Sequence, residues 1–373
     1  IRDGVIPNEM FFGRVAELNS IADPNGTMMI YGKLGKTALL TRAETLCTRI
    51  DKREYAVKVN LSGCTEEAEV TQKLMQTIQE KTMFSFQSAK TLAAFCEQMK
   101  LLFQKKQISM FLLLLDDADA FLEHMETMTA PIQALLDLKK TCANQFKCVF
   151  SALHRVQGHL RDALGTPLPI GPLLPKDAHR LLQKPLEYLG FVTQENLDAL
   201  LVNTNYYPAL VQLVGDTLTQ TVTDEYANFY CAAENNPPFP LEDRQLGVIL
   251  NSAALNQRIR DGICAVLESD PRYFMLAHCI ALLYFYNSDD CRNQPDCSVD
   301  DIKQMAEDYN IHCLAKETYA SYTVLLGEMT DMAILTTTHK HETYHFRQHC
   351  FLYLIGNDLD SVDQAIHNFN DEV

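Results

Sequence analysis

The sequence predicts an α/β domain built on a parallel sheet flanked by helices, followed by an all-α lid and a mostly α winged-helix domain. Three observations predict it. Short apolar segments alternate with amphipathic ones through the first half, the strand signal fades after residue 172, and the chain closes on three helices and a strand pair.

In order, residues 27–31 (TMMIY) read as a strand that enters a glycine-containing loop, with a helix at 37–50 behind it. A second strand is predicted at 55–61 (YAVKVNL), and helical spacing recurs at 66–81 and 91–105. The continuous apolar run at 108–115 (ISMFLLLL) predicts a strand buried on both faces. A helix at 128–141 and a strand at 146–153 (FKCVFSAL) complete a doubly wound pattern. The lid helices fall at 177–189, 195–202 and 208–221. Residues 235–240 (NNPPFP) cannot be helix interior, because their prolines remove donors and fix φ, and they read as a linker. Beyond them, helices are predicted at 243–250, 255–267, 273–286, 299–309 and 319–332, strands at 333–337 and 343–347, and a last helix at 359–369. The domain bounds are therefore 1–172, 173–234 and 235–373.

At 373 residues, two or three domains are the expectation. The apolar share of 47% is ordinary for a folded chain, and no apolar run approaches the roughly 20 residues of a membrane span. No basic-plus-apolar leader is visible, and the first residue is Ile1 rather than a start methionine, so a processed, trimmed or partial chain is the expectation, with room for a further domain on either side. The 12 cysteines lack the spacing zinc prefers, the closest pairs being Cys142 with Cys148 and Cys291 with Cys297. Free thiols in a reducing, cytoplasmic compartment are the expectation. A net charge of −16 argues against a protein that coats nucleic acid, though not against a local basic patch.

Tyr31, Gly32, Lys33, Leu34, Gly35, Lys36 and Thr37 stand between a strand and a helix, where a phosphate-binding loop must stand. Backbone N–H groups and the positive helix end cradle phosphates, lysine adds a point charge, and the hydroxyl ligates magnesium. Gly32, Gly35, Lys36, Thr37 and Ala38 are the candidate nucleotide ligands. The usual pattern places a glycine five positions before Gly35, and Ile30 stands there. Either the loop is shortened and degenerate or a flexible pair has been lost from it. The intact strand and helix on both sides favour the second. A fortuitous loop lysine is the bland alternative.

The apolar run ends in Asp116, Asp117, Ala118 and Asp119. A buried strand delivering carboxylates at its C-terminal edge supplies the oxygen ligand that magnesium needs. Asp116 and Thr37 are the candidate metal ligands. Asp117 is the candidate to orient or deprotonate an attacking water, and Asp119 reads as a solvated first-turn acid. Ordinary helix capping is the competing account of all three.

With both elements present, the chain resembles the STAND branch of AAA+ ATPases, an α/β P-loop NTPase fold with bacterial and archaeal members, over nearly its whole length. Phe11, Phe12, Gly13 and Arg14 with Glu17 and Leu18 resemble the family's F-x-G-R-x-x-E-L box, which lines the adenine pocket; Phe12, Gly13 and Arg14 carry over as cofactor-binding. Ser151, His154 or Arg155 would supply the polar sensor near the γ-phosphate, Arg155 as a catalytic candidate; a plain surface turn is the alternative. Pro208 matches the proline of the family's G-x-P lid segment, but Tyr206 stands at its glycine, and a proline at a helix start is equally ordinary. His339, His341, His345 and His349 are candidates for a phosphate contact or a metal ligand, although histidines on a hairpin are more often surface groups.

The resemblance implies ATP or ADP with Mg2+, slow hydrolysis, and a switch that homo-oligomerises on activation and controls an effector or sensor domain or protein. A role in bacterial self-defence is an analogy with relatives. A DNA-handling ATPase using the winged helix is the runner-up. From Asp270 onward, however, acids outnumber bases by roughly three to one, the balance of a protein-contact domain. A non-hydrolysing scaffold with a degenerate loop is the third reading. Nucleic acid is unexpected by charge, and no membrane partner is implied.

Overall fold

The computed structural model describes residues 7, 10–125, 130–192, 197–226, 239–240, 243–287, 296–338 and 343–372. The chain divides into two compact units, Ile1–Ile170 and Gly171–Val373.

The first unit runs α1 (Val15–Ala22), β1 (Met29–Tyr31), α2 (Lys36–Cys47), β2 (Glu54–Asn60), α3 (Glu67–Lys81), α4 (Leu92–Gln104), β3 (Met110–Asp116), α5 (Asp119–Met125), α6 (Ala130–Thr141), β4 (Phe146–Ala152), α7 (Gly158–Leu164) and β5 (Leu168–Pro169). Its five strands are parallel in the order β2-β3-β4-β1-β5. This is a parallel sheet with flanking helices, the P-loop NTPase fold. Both faces are covered, as the apolar run in β3 requires. Phe111, Leu113 and Leu115 join the core shared with α3, α4 and α6. Leu112 and Leu114 point the other way, into the core shared with α1 and α2. The twofold strand period divides one apolar run between two cores.

The free edge of β2 is blocked by side chains. The Ala56 N–H donates to Thr48 Oγ1 at 3.2 Å, the Lys58 N–H to Glu44 Oε1 at 2.7 Å, and Lys81 Nζ to the Lys58 carbonyl at 3.0 Å. An edge so satisfied offers little template to another strand.

Lys147 is anomalous in a strand that is buried throughout. Its ammonium reaches the C-terminal end of α1 and donates to the carbonyls of Ser20, Ile21 and Asp23 at 2.8, 2.9 and 2.6 Å. Burial, with the charge of Lys139 second, pulls its pKa down to about 8. Three carbonyls at the negative end of a helix make a charge tolerable there. The sequence predicts no helix at 15–22 or at α7, because each is too short to show a clear period, while α5 begins at Asp119, where a first-turn acid is expected.

The second unit is mostly helical: α8 (Pro175–Tyr188), β6 (Phe191–Val192), α9 (Asp198–Asn203), α10 (Pro208–Tyr226), β7 (Phe239–Pro240), α11 (Asp243–Leu250), α12 (Ala253–Leu267), α13 (Pro271–Asn287), β8 (Cys297–Ser298), α14 (Val299–Asp308), α15 (Tyr319–Asp331), β9 (Leu335–Thr338), β10 (Thr343–Phe346), α16 (Leu352–Ile355) and α17 (Leu359–Glu372). Of the proline-rich stretch, 235–238 lie outside the described residues, and Phe239 with Pro240 pairs in parallel with Phe191 and Val192. Strands β8, β10 and β9 form an antiparallel sheet in that order. Helix, strand, two helices and a strand pair, closed by β8, are consistent with the winged-helix description. The sequence reading omitted β8, which is two residues long and holds its place through β10. It began β9 at 333, but Ala333 turns left-handed at φ 58° and delays the strand to Leu335. Ser298 starts α14 with a reciprocal capping box to Asp301.

The described cysteines are all free thiols. Among the described residues no helix is long and apolar enough to cross a membrane.

Replacing Lys147 with Ala would take a donor from three carbonyls, leaving Asp23 only its bond from the Gly26 N–H, and open a cavity beside them. Stability should fall by about 2–5 kcal/mol, read as a lower denaturant midpoint; an unchanged midpoint would remove Lys147 as the anchor of α1.

Candidate functional site

The C-terminal ends of β1, β3 and β4 are tied together by the loops that leave them. The Gly32 N–H donates to the Leu153 carbonyl at 3.0 Å, and the Ala118 N–H to the Ser151 carbonyl at 2.8 Å. Asp119 Oδ1 accepts the Leu153 N–H at 2.5 Å. Asp119 is thus a fastener between strand ends rather than the solvated acid the sequence suggested. Its spacing fits either role, and only the neighbouring strand's free N–H distinguishes them.

The loop after β1 turns at Gly32 (φ 111°) and Gly35 (φ 91°), left-handed values that glycine adopts without strain. A Cβ at Gly32 would press on the Ile170 carbonyl at 2.9 Å, whereas space is open above Gly35. Gly35 is the N-cap of α2, so the first amides of Lys36, Thr37 and Ala38 lack intrahelical acceptors. Lys36 Nζ is folded back onto the Gly32 carbonyl across the short loop. Burial pulls the Lys36 pKa below the usual lysine range, while the fields of Asp119, Asp117 and Asp116 push it up. The lysine and the strand-end carboxylates are therefore near enough to feel one another's charge.

Asp116 is almost wholly buried. Ser151 Oγ donates to its Oδ1 at 3.1 Å, whereas Oδ2 accepts no hydrogen bond. The nearest cation to Oδ2 is Lys58 Nζ at 3.9 Å. Asp117 sits in the left-handed region at φ 51°, where aspartate is tolerated better than most residues. Burial first, and the charge of Asp116 second, raise its pKa above the ordinary carboxylate value. Of the three sensor candidates, Ser151 is the one whose hydroxyl meets Asp116. Arg155 and His154 lie in the turn after β4.

Gly13 (φ 73°) and Arg14 (φ 59°) make the left-handed turn that starts α1. Arg14 then bonds Glu17 Oε1 at 3.1 Å and the Leu34 carbonyl at 3.3 Å. The box and the phosphate loop are therefore joined directly through Arg14. Phe12 is half-buried beside it.

In the second unit, Pro208 opens α10. Asn205 and Tyr206 are both left-handed, at φ 49° and 57°. Tyr206 thus holds the backbone conformation a glycine would take, which explains how the segment keeps its shape without one. Asn205 Nδ2 donates to the Ala333 carbonyl at 3.0 Å and the Tyr207 hydroxyl to that of Met332 at 2.8 Å. Of the four histidines, His339 and His341 lie outside the described residues. His345 Nδ1 is 3.3 Å from Asp296 Oδ1, and His349 Nε2 meets the Tyr284 hydroxyl at 3.0 Å.

The donor set can be compared with what a magnesium nucleotide requires. Asp116 Oδ2 is a buried carboxylate oxygen without a hydrogen bond, and the Thr37 hydroxyl stands at the exposed start of α2. Among the described residues no group of three His, Cys, Asp or Glu side chains could hold a metal ion. Magnesium takes one or two protein ligands and completes its shell with phosphates and water, so a buried carboxylate oxygen and a hydroxyl are donors of the kind it uses. The residues fit the group.

No family model matches the chain, and no curated protein matches it in sequence. Solved structures do. The Walker-type ATPase PABY2304 of Pyrococcus abyssi superposes with a TM-score of 0.56 at 14% identity, covering 93% of this chain and 97% of that one. The Aeropyrum pernix ORC2 protein, in its ADPNP–ADP complexes, superposes with a TM-score of 0.51 at 11% identity, covering 98% and 96%. At these identities the likeness is one of fold, and it extends over both units.

Asp119→Ala should destabilise the first unit by about 1–3 kcal/mol and speed hydrogen exchange at the Leu153 amide. Exchange at wild-type rate would show that the strand ends are held by other bonds.

Proposed function

We propose that the chain is an ATP- and ADP-binding switch of the STAND/AAA+ kind, hydrolysing slowly and controlling assembly or an effector on a neighbouring domain. The observation that carries the reading is that the loop after β1, which bears Lys36, and the acidic end of β3 are both tied to the end of β4, through Gly32, Ala118 and Asp119, with Lys36 within the fields of Asp119, Asp117 and Asp116. The overall likeness to a Walker-type ATPase and to an ADPNP- and ADP-bound protein supports it.

In this reading the amides of Lys36, Thr37 and Ala38 hold phosphate oxygens, with Gly32 and Gly35 giving the loop its turns. Lys36 leaves the Gly32 carbonyl and donates to the β and γ oxygens. Asp116 and the Thr37 hydroxyl hold Mg2+, which when bound supplies a counter-charge to the phosphates. Asp117 accepts the proton of the attacking water, a role that its raised pKa suits. Phe12, Gly13 and Arg14 border the adenine, and Arg155 senses the γ-phosphate. Pro208 is the candidate base-contacting proline of the lid at 173–234, which the linker and winged helix at 235–373 follow. The switch needs only that the γ-phosphate favour one arrangement over the other. Homo-oligomerisation on activation, an effector or sensor partner, and a place in bacterial defence follow from the STAND reading.

Helix α15 is where a DNA-reading winged helix would need cations, and its sequence (YASYTVLLGEMTD) contains neither lysine nor arginine. That favours the protein-contact reading over DNA handling. A specific observation also favours a second reading, a scaffold that no longer binds nucleotide: Lys36 already has an acceptor within its own short loop.

Two variants test the proposal. Lys36→Ala should weaken ADP binding by about tenfold to a hundredfold, the worth of a charge-assisted hydrogen bond, measured by calorimetry. Wild-type chain whose thermal midpoint does not rise with saturating ADP would favour the scaffold instead. Asp117→Asn should keep ADP affinity while turnover falls by about 10²–10⁴-fold; unimpaired turnover would place the base elsewhere.

A further inference from the structure

The site contains a cation that the nucleotide-binding pattern does not require. Lys58 lies on β2, in register with Leu114 and two residues before Asn60, which pairs with Asp116. Its ammonium donates to Thr41 Oγ1 at 2.8 Å, and Thr41 Oγ1 donates in turn to the carbonyl of Thr37 at 2.8 Å. From that position it stands 3.9 Å from Asp116 Oδ2. Oδ1 is occupied by Ser151, so Oδ2 is the atom left for a metal, and it accepts no hydrogen bond. The backbone of Lys58 is held as firmly as its head: its N–H is bonded to Glu44 and its carbonyl to Lys81.

We propose that Lys58 is a resident counter-ion for Asp116 that competes with the divalent metal, so that it sets the metal concentration at which nucleotide is held. The inference rests on the nucleotide-binding reading above and names a regulation of that site. The physical argument is one of charge. A buried carboxylate needs a nearby cation, and in the metal-free protein the lysine provides it. A divalent ion bound at Oδ2 would share that oxygen with a second positive charge 3.9 Å from it, in surroundings less screened than water. Either the ion binds more weakly, or the lysine swings away along its flexible stem and gives up Thr41. Both routes make the metal contend with Lys58. An arginine would contend in the same way, and a neutral side chain would not.

Manganese in place of magnesium gives a direct readout, because the free ion's paramagnetic resonance signal disappears on binding. The full chain with saturating ADP is titrated with Mn2+ as wild type, Lys58→Gln and Lys58→Arg. The expected result is about tenfold tighter Mn2+ binding in Lys58→Gln and wild-type affinity in Lys58→Arg. Without metal, the thermal midpoint of Lys58→Gln should be lower than wild type, and Mn2+ with ADP should restore it. Equal or weaker Mn2+ affinity in Lys58→Gln overturns the proposal, while calorimetric ADP binding in the same samples leaves the nucleotide reading standing. Absence of ADP binding in wild type overturns both. Should Lys58→Gln not fold, tight Mn2+ binding by Lys58→Met, or its absence, decides the matter in the same way.

Discussion

A carboxylate buried at the end of an apolar strand is the constraint around which the first unit is arranged. Asp116 ends a run of leucines that the two cores divide between them, so its charge arises where water is scarce. Such a charge is tolerable only with hydrogen bonds and a counter-ion close by. The neighbouring strands provide them: Ser151 from β4 on one side and Lys58 from β2 on the other. Lys36 approaches from the start of α2 and adds its field. The same shortage of water leaves one of its oxygens without a hydrogen bond.

Around that centre the loops are fastened rather than free. Gly32, Ala118 and Asp119 each tie one strand end to the next. Arg14 holds the Leu34 carbonyl from the start of α1, while Lys147 holds the far end of the same helix from within β4. The helix is thus clamped at both ends by long cationic side chains meeting backbone carbonyls. The loop between β1 and α2 keeps its shape in such a frame, because its position depends on bonds to its neighbours as well as on its own turns.

The second unit places its unusual backbone where two segments meet. Asn205 and Tyr206 both take left-handed values that ordinary side chains avoid, and the bonds of Asn205 and Tyr207 to residues 332 and 333 over-determine the turn. Strain held by packing in this way commonly marks a working segment. It lies immediately before Pro208, at the start of α10.

Much of the architecture was legible in the chain, because local period and apolarity decide it. The strands at 27–31, 55–61, 108–115 and 146–153 needed no partner to be recognised, and the fold follows from their order. The lysine of the loop and the acids at the end of β3 were equally plain, since each motif is contiguous. What could not be read were relations between distant segments. Lys58 looks like a solvent-facing residue of an alternating strand, and Asp119 like a routine helix-start acid. Their roles depend on which strand lies alongside, and that is settled by packing, not by neighbours in sequence. Short elements such as α1 and β8 were missed for a related reason, as two to eight residues hold their shape only through what they rest on. Local chemistry named the candidates for phosphate and metal, while the long-range pairing of strands gave Asp116 and Asp119 their partners.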